Sequence, residues 1–160
     1  MGQEEKLSLN EAHREFAKST NGRVWELLEK EVRTQLENDE LLYAAYASCY
    51  HWFKVGTGVH QQRGKYLIAK VYMSLGMPDQ ALHHATRCLE LTEHHQREMK
   101  DFDIAYAYEC LARAYAMSGA KDEGLRYYEL AMEAGNKIQN PEDKQIFDSD
   151  LESGNWFGLG

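Results

Sequence analysis

The feature that most constrains the fold of this chain is an internal repeat, in which the same residues return after 43 positions. The first copy lies within residues 63–93 and the second within residues 106–136. Six identities carry the repeat: Ala69 and Ala112, Tyr72 and Tyr115, Gly76 and Gly119, Asp79 and Asp122, Leu82 and Leu125, Glu90 and Glu133. Self-similarity at a fixed period is typical of proteins that stack one supersecondary unit on the next. The pattern therefore predicts a stacked-repeat architecture.

The repeated residues fit a pair of helices joined by a tight turn. Ala69 is small enough to let two helices approach closely, and Tyr72 lies three residues later on the same helical face. Gly76 is expected to end the first helix, where a left-handed backbone conformation is needed. Pro78 then stands near the first position of the second helix, where its missing N–H does no harm. The unit is thus predicted to be helix, turn, helix.

The spacing A-x-x-Y-x-x-x-G-x-x-x-x-A, from Ala69 to Ala81, resembles the tetratricopeptide repeat (TPR). The second copy fits as far as Gly119, but Gly124 stands where the family has alanine. The interval of 43 residues also exceeds the ~34 residues of the ordinary unit, which implies longer helices. The resemblance covers about residues 63–136 and implies a TPR-like, right-handed helical stack.

Caps and apolar periodicity predict the rest of an all-α fold. Eight helices are expected, over about 9–19, 23–37, 40–55, 59–75, 78–97, 102–118, 121–138 and 141–152. Asn21-Gly22 is expected to break the first helix, and Asn38 or Asp39 to cap the third. Helix 40–55 is apolar nearly all round, which predicts a central position. The helices are expected to form three antiparallel pairs, 23–55, 59–97 and 101–138, between an N-terminal and a C-terminal capping helix.

This arrangement predicts a single TPR-like helical domain over residues 1–152. A glycine-rich tail, 153–160, follows it and carries Trp156 and Phe157.

Composition narrows the classes of protein and partner. The formal charge of −8 disfavours nucleic-acid binding, which requires a basic face. The longest apolar run, 41–50, is far short of the ~20 residues that a membrane span needs. Cys49, Cys88 and Cys110 have the wide spacing of free thiols in a reducing compartment. The acidic, polar start of the chain, Met1 to Lys6, is unlike a signal peptide, so a cytoplasmic location is expected.

In TPR-like proteins the first helix of each pair lines a concave groove, which commonly holds peptide termini. Carried over by counting from the small residue, the groove set is Arg63, Tyr66, Lys70 and Met73; Tyr106, Glu109, Arg113 and Met117; and Arg23, Glu26, Lys30 and Arg33. Six of these residues are basic and two are acidic. We therefore expect a non-catalytic module that binds an acidic or carboxylate-terminated protein segment. No cofactor or enzymatic activity is expected.

Three other hypotheses remain open at the level of sequence. A small-molecule sensor or enzyme would have an enclosed pocket near His51, Arg63 and Glu109. His84, Cys88 and His95 have metal-compatible spacing on one helical stripe, although a native metal site is not expected.

The acidic, aromatic tail forms the third hypothesis. It would lie as a pseudo-ligand in the groove of its own chain or, in a homodimer, of a neighbour. Alternatively, Trp156 and Phe157 cap the last helix, or the tail is mobile.

Overall fold

The structure, a computed structural model, describes residues 6–159. Within that range the chain forms seven α-helices, one short 3₁₀ helix over Gln96–Glu98, and no strand. The helices are α1 (Leu9–Glu29), α2 (Gln35–Val55), α3 (Gly58–Ser74), α4 (Pro78–His94), α5 (Asp101–Met117), α6 (Lys121–Asn136) and α7 (Pro141–Glu152). The all-α prediction is confirmed. Residues 1–5, which carry the expectation about the start of the chain, lie outside the described part.

The helices form a stack of three antiparallel pairs. Helix α1 packs along α2, α3 along α4, and α5 along α6, while α2–α3 and α4–α5 contacts join the pairs. Helix α7 closes the C-terminal end against α5 and α6. The core follows the stack as three buried clusters, which include Leu27, Leu41 and Ile68; Cys110 and Leu111; and Phe147 and Leu151. No helix between residues 6 and 159 has the length and apolarity to cross a membrane.

The repeated glycines end helices as predicted. Gly76 has a φ of +74° and lies just beyond α3, a left-handed conformation that favours glycine. The Met77 N–H donates to the Tyr72 carbonyl at 3.0 Å, which satisfies one of the carbonyls left free at the helix end. The same bond closes α5 around Gly119, whose φ is +83°. The repeat therefore encodes two equivalent helix-to-helix turns.

The predicted break at Asn21-Gly22 is wrong, because α1 continues through it. Glycine in a helix interior costs only about 1 kcal/mol, which burial on both sides offsets. Ala17 lies before the glycine, Val24 and Leu27 lie after it, and all three are fully buried on one face. Since α1 is the first member of the first pair, no separate N-terminal capping helix precedes the pairs within residues 6–159.

The predicted start of α2 is also wrong by several residues. Thr34, rather than Asn38 or Asp39, is the N-cap, and its hydroxyl accepts a hydrogen bond from the Glu37 N–H. The Glu37 carboxylate accepts in turn from the Thr34 N–H, which completes a capping box. The capping-box signal Thr34-x-x-Glu37 is present in the sequence and decides where α2 begins, in place of the single caps expected at Asn38 or Asp39.

Helix α2 is not covered on all sides, contrary to the expectation for an all-round apolar helix. One face packs on α1 and α3, but Tyr43 is 73% exposed and Phe53 is 65% exposed. An apolar face is thus left uncovered in this chain.

Helix α7 begins at the predicted signal. The Asn140 side-chain oxygen accepts from the N–H groups of Glu142 and Asp143, and Pro141 occupies the first turn. Its Phe147 is fully buried against Gly135, where a Cβ would lie 2.4 Å from the ring. This close approach fixes α7 against the last helix pair.

Candidate functional site

The first helices of the three pairs, together with α7 and the tail, line a groove that consists of two adjoining cavities. The Arg63 cavity, about 370 Å³, is lined by Asn21, Trp25, Gln62, Arg63, Tyr66, Leu67, Phe102, Asp103, Tyr106 and Asp150. The Lys70 cavity, about 590 Å³, is lined by Trp25, Leu28, Tyr66, Lys70, Met73, Ser74, Glu109, Arg113, Asp150, Ser153, Gly154, Asn155 and Phe157. Trp25, Tyr66 and Asp150 belong to both cavities, so the two are continuous.

In the Arg63 cavity a buried carboxylate holds an exposed guanidinium. Arg63 donates through Nε and Nη2 to the two oxygens of Asp103, at 2.8 and 3.0 Å. Asp103 is 4% exposed and also accepts from the Lys100 N–H, so it caps α5 as well. The Arg63 side chain remains 45% exposed, with its guanidinium 5.4 Å from the centre of the Phe102 ring. The buried Asp103 carboxylate therefore fixes the orientation of Arg63, and the guanidinium faces the cavity.

In the Lys70 cavity three groups converge on the buried carboxylate of Glu109, which is 1% exposed. Lys70 Nζ and Arg113 Nε both donate to its Oε1 at 2.7 Å, and the Tyr66 hydroxyl donates to its Oε2 at 3.3 Å. Burial, reinforced by the Glu109 charge, raises the pKa of Tyr66 well above its usual value. The tyrosine therefore stays neutral and remains a donor.

Arg113 connects this cluster to the tail. Its guanidinium donates to the main-chain carbonyls of Asp150, Ser153 and Asn155 at 2.8–2.9 Å. It also lies 3.9 Å from the centre of the Trp156 ring, an attractive cation–π geometry. With 5% of its surface exposed, Arg113 is occupied by the chain itself.

The tail forms one wall of the groove, and its Trp156 also caps the last turn of α7. Ser153, Gly154, Asn155 and Phe157 line the Lys70 cavity, and the Trp156 indole N–H donates to the Leu151 carbonyl at 2.9 Å. The part of the tail that the structure describes, 153–159, thus packs on its own chain beside the groove. The terminal residue, with its carboxylate, lies outside that part.

The predicted groove residues of α3 and α5 come together, with one exception. The lining includes Arg63, Tyr66, Lys70 and Met73 from α3, and Tyr106, Glu109 and Arg113 from α5. Met117, the last residue of α5, is not part of that lining. Counting from the repeated alanines therefore selects the face of both helices that lines the cavities.

The residues predicted from the first pair lie away from the groove centre. Arg23 pairs with Glu40 of α2 through two bonds, and Lys30 pairs with Glu37 across the α1–α2 connection. Arg33 lies at the rim, where it bonds Ser74 at the end of α3. Glu26 bonds Arg23 on the surface. This register was misjudged because the break at Asn21-Gly22 does not occur.

The groove residues that α1 does supply are Asn21, Trp25 and Leu28. Their spacing of four and three residues is the signal of one helical face, and it becomes readable once α1 is taken as continuous.

The charge balance of the groove differs from the expected basic surplus. The structure adds Asp103 and Asp150, so the lining carries three cations and three carboxylates. Asp150 accepts the Tyr106 hydroxyl at 2.5 Å, and burial together with this bond raises the pKa of Tyr106. What a ligand meets depends on which of these charges are exposed.

The structure does not bring His51 together with Arg63 and Glu109. His51 faces α1 instead, where its Nδ1 lies 2.8 Å from Nδ1 of His13 and its ring packs on Phe16. The proposed three-residue pocket is therefore not formed in the described part of the chain.

The histidine stripe is divided among separate environments. His84 stacks on Tyr72, Cys88 is fully buried, and His95 bonds Glu98 at 3.0 Å. Among residues 6–159, no three His, Cys, Asp or Glu side chains are grouped so that they could share a metal ion.

Comparison with family models, with curated proteins and with solved structures gives no match in any of the three. The resemblance to TPR proteins therefore stays a prediction from residue spacing.

Proposed function

We propose that this chain is a non-catalytic interaction module that binds an extended peptide segment in the groove of α1, α3 and α5. Arg63 and Lys70 would each bind a carboxylate of the segment, either a side chain or a chain end. Trp25, Tyr66 and Met73 would supply apolar contact.

The observation that carries this proposal is the unequal exposure of the charged groups. Asp103 and Glu109 are 4% and 1% exposed, whereas the side chains of Arg63 and Lys70 are 45% and 22% exposed. The buried carboxylates position Arg63 and Lys70, and these two accessible cations outnumber the one exposed carboxylate of the lining, Asp150, which accepts the Tyr106 hydroxyl. Such pre-positioning lowers the entropic cost of binding.

Both cations keep donors for a ligand. Arg63 uses Nε and Nη2 for Asp103, and within residues 6–159 its Nη1 makes no hydrogen bond. A lysine ammonium has three N–H donors, of which Lys70 gives one to Glu109. Arg63 and Lys70 are two helical turns apart on α3, about 10 Å, so each would bind a carboxylate of its own, one on either side of Tyr66, which lines both cavities.

The shape of the groove supports a chain segment over a compact ligand. Two cavities of about 370 and 590 Å³ adjoin along three helices, and exposed aromatic surface such as Trp25, at 42%, borders both. An extended peptide fills adjoining pockets with alternate side chains.

The test is a selection from a random peptide library displayed with free C-termini, followed by affinity measurement on synthetic copies of the enriched peptides. Each peptide is measured against the wild-type chain, Arg63→Gln and Arg87→Gln. Arg87 is a matched control, because it is 47% exposed and paired with Glu90 on the outer helix α4.

We expect enriched peptides to carry acidic residues or to require a free terminal carboxylate. Arg63→Gln should weaken their binding by about tenfold or more, since a charge-assisted pair is lost, and Arg87→Gln should leave it unchanged. Equal affinity for the wild type and Arg63→Gln, or a selection that enriches no peptide, would contradict the proposal.

A further inference from the structure

Helix α2 carries an exposed aromatic stripe that the groove does not use. Its members are Tyr43, Tyr46, Tyr50 and Phe53, which are 73%, 43%, 55% and 65% exposed. Their spacing of three, four and three residues places them on one face of the helix. We call this surface the α2 stripe.

Comparison with the other two pairs shows that the corresponding helix face is exposed to solvent there. Helix α2 aligns with α4 at an interval of 40, through Asp39 and Asp79, Leu42 and Leu82, and Ala45 and Ala85. At the positions that match the stripe, α4 has His83, Thr86, Glu90 and Glu93, and α6, a further 43 residues on, has Arg126, Glu129, Glu133 and Asn136. All eight of these residues are exposed. Since the fold itself does not bury these positions, four aromatic residues there mark a surface that is covered by something else.

The surroundings of the stripe enlarge it. Phe16 of α1 is 57% exposed and packs on His51, which contacts Tyr50 edge-on at 5.6 Å between ring centres. The Lys54 ammonium lies 5.7 Å from the centre of the Tyr50 ring. The result is an aromatic patch that spans α1 and α2 and lies outside the groove.

We propose that the α2 stripe binds the α2 stripe of a second copy of this chain, with the two helices antiparallel across a twofold axis. A twofold interface requires a surface that is complementary to itself. The spacing three, four, three reads the same in both directions, so antiparallel pairing places Tyr43 opposite Phe53 of the other copy and Tyr46 opposite Tyr50. The proposal concerns a surface separate from the groove and does not depend on the function proposed for it.

Charge and area agree with this occupant. Asp39 lies one turn before Tyr43, and Lys54 directly follows Phe53, so antiparallel pairing brings opposite charges near each end of the stripe. Aromatic side chains bury about 150–250 Å² each when fully covered, so the exposed parts of the four supply roughly half of the ~800 Å² per partner that a stable interface needs. Phe16 and its neighbours on α1 contribute further area.

The first test is sedimentation of the purified full chain over a range of concentrations. We expect a concentration-dependent monomer–dimer equilibrium. Tyr43→Glu should raise the dissociation constant by about tenfold or more, because it places two charges in an apolar contact. His83→Glu makes the same change at the matching position of α4 and should leave the equilibrium unchanged.

The second test determines orientation by cross-linking. An equimolar mixture of Tyr43→Cys and Phe53→Cys chains should react with a thiol cross-linker that spans the ~8–10 Å between packed helices. Tyr43→Cys alone should not, since antiparallel pairing separates the two copies of residue 43 by about 15 Å along the helix. Both variants are made in a Cys49→Ser chain, because Cys49 lies on α2 itself and is only half-buried, and that chain, whose Cys88 and Cys110 are buried, gives the background.

Three results would overturn the proposal. A chain that stays monomeric at all concentrations would assign the stripe to a different protein. A dimer that Tyr43→Glu does not weaken would lie on another surface. Efficient cross-linking of Tyr43→Cys to itself would indicate parallel pairing.

Discussion

Lys70 Nζ and Arg113 Nε both lie 2.7 Å from the same oxygen of Glu109. This shared acceptor links the groove surface to the C-terminal tail, because Lys70 lines the groove and Arg113 holds the tail carbonyls. The buried carboxylate is therefore the centre of the site, and its loss should affect stability more than that of any surface charge.

Glu109→Gln should lower the free energy of unfolding by about 3–5 kcal/mol, since it leaves the buried Arg113 and half-buried Lys70 without their counter-charge. Urea denaturation followed by circular dichroism measures this change. Glu90→Gln, which removes an exposed partner of Arg87, should change it by less than about 0.5 kcal/mol. Similar midpoints for the two variants would refute the role given to Glu109.

Two glycines of the chain should respond to alanine in opposite directions. Gly22→Ala should stabilise by about 0.5–1 kcal/mol, because Gly22 lies inside α1 with open space around it. Gly76→Ala also meets no neighbour, but its φ of +74° should cost about 1–2 kcal/mol. Thermal denaturation of both variants shows whether each substitution stabilises or destabilises the fold. Destabilisation by Gly22→Ala would indicate that α1 is broken at this position.

The tail offers a matched pair of glycines that tests whether it docks on Arg113. Gly154 and Gly158 have φ values of +78° and +77°, so alanine strains the backbone equally. A Cβ at Gly154 would lie 3.1 Å from Arg113 Nη1, whereas one at Gly158 meets nothing. Gly154→Ala should therefore be the more destabilising by about 1 kcal/mol. Equal melting temperatures would mean that the tail does not hold Arg113.

Stability should fall in mild acid because of His84. Burial, with repulsion from Lys65 and His83, lowers the pKa of His84 to about 4, against about 6.5 in the unfolded chain. The unfolded state then binds more protons between these values, so stability is full above pH 6.5 and declines as the pH falls towards 4. A pKa lowered from 6.5 to about 4 corresponds to about 3 kcal/mol, which solvent screening of the partly accessible ring reduces to about 1–2 kcal/mol.

Urea midpoints measured between pH 7 and 4 test this dependence. His84→Phe should remove most of the decline, whereas His83→Gln, at the exposed neighbouring position, should retain it. A His84→Phe chain with the same pH profile as the wild type would show that other groups cause it.

The helices whose ends carry strong start or stop signals were predictable from the sequence. Gly76 with Pro78, and Asn140 with Pro141, combine a helix end or cap with a helix start, and the bounds around them were predicted within a few residues. The first pair was misjudged because Asn21-Gly22 is a weak signal that tertiary burial overrides. The connection 30–34 has neither glycine nor proline, so its only signal is the capping box at Thr34.

The site was predictable in part for the same reason. Positions on α3 and α5 follow from the repeat, which fixes their register. The hydrogen-bond partners of those residues cannot be read from the repeat, because Arg63 bonds Asp103 and Arg113 bonds Asn155 across some 40 residues of sequence. These groups meet only when one helix pair packs on the next and the tail packs on α5. The same packing adds the carboxylates of Asp103 and Asp150 to the lining of the groove.

The most direct measurement of the groove hypothesis is an NMR titration of the isotope-labelled chain with a peptide enriched by the selection. Shift changes should concentrate at Trp25, Tyr66 and Met73 and at the Arg63 side chain, with the outer positions of α4 and α6 unaffected. Changes confined to the outer helices, such as at Thr86 and Glu129, would contradict it.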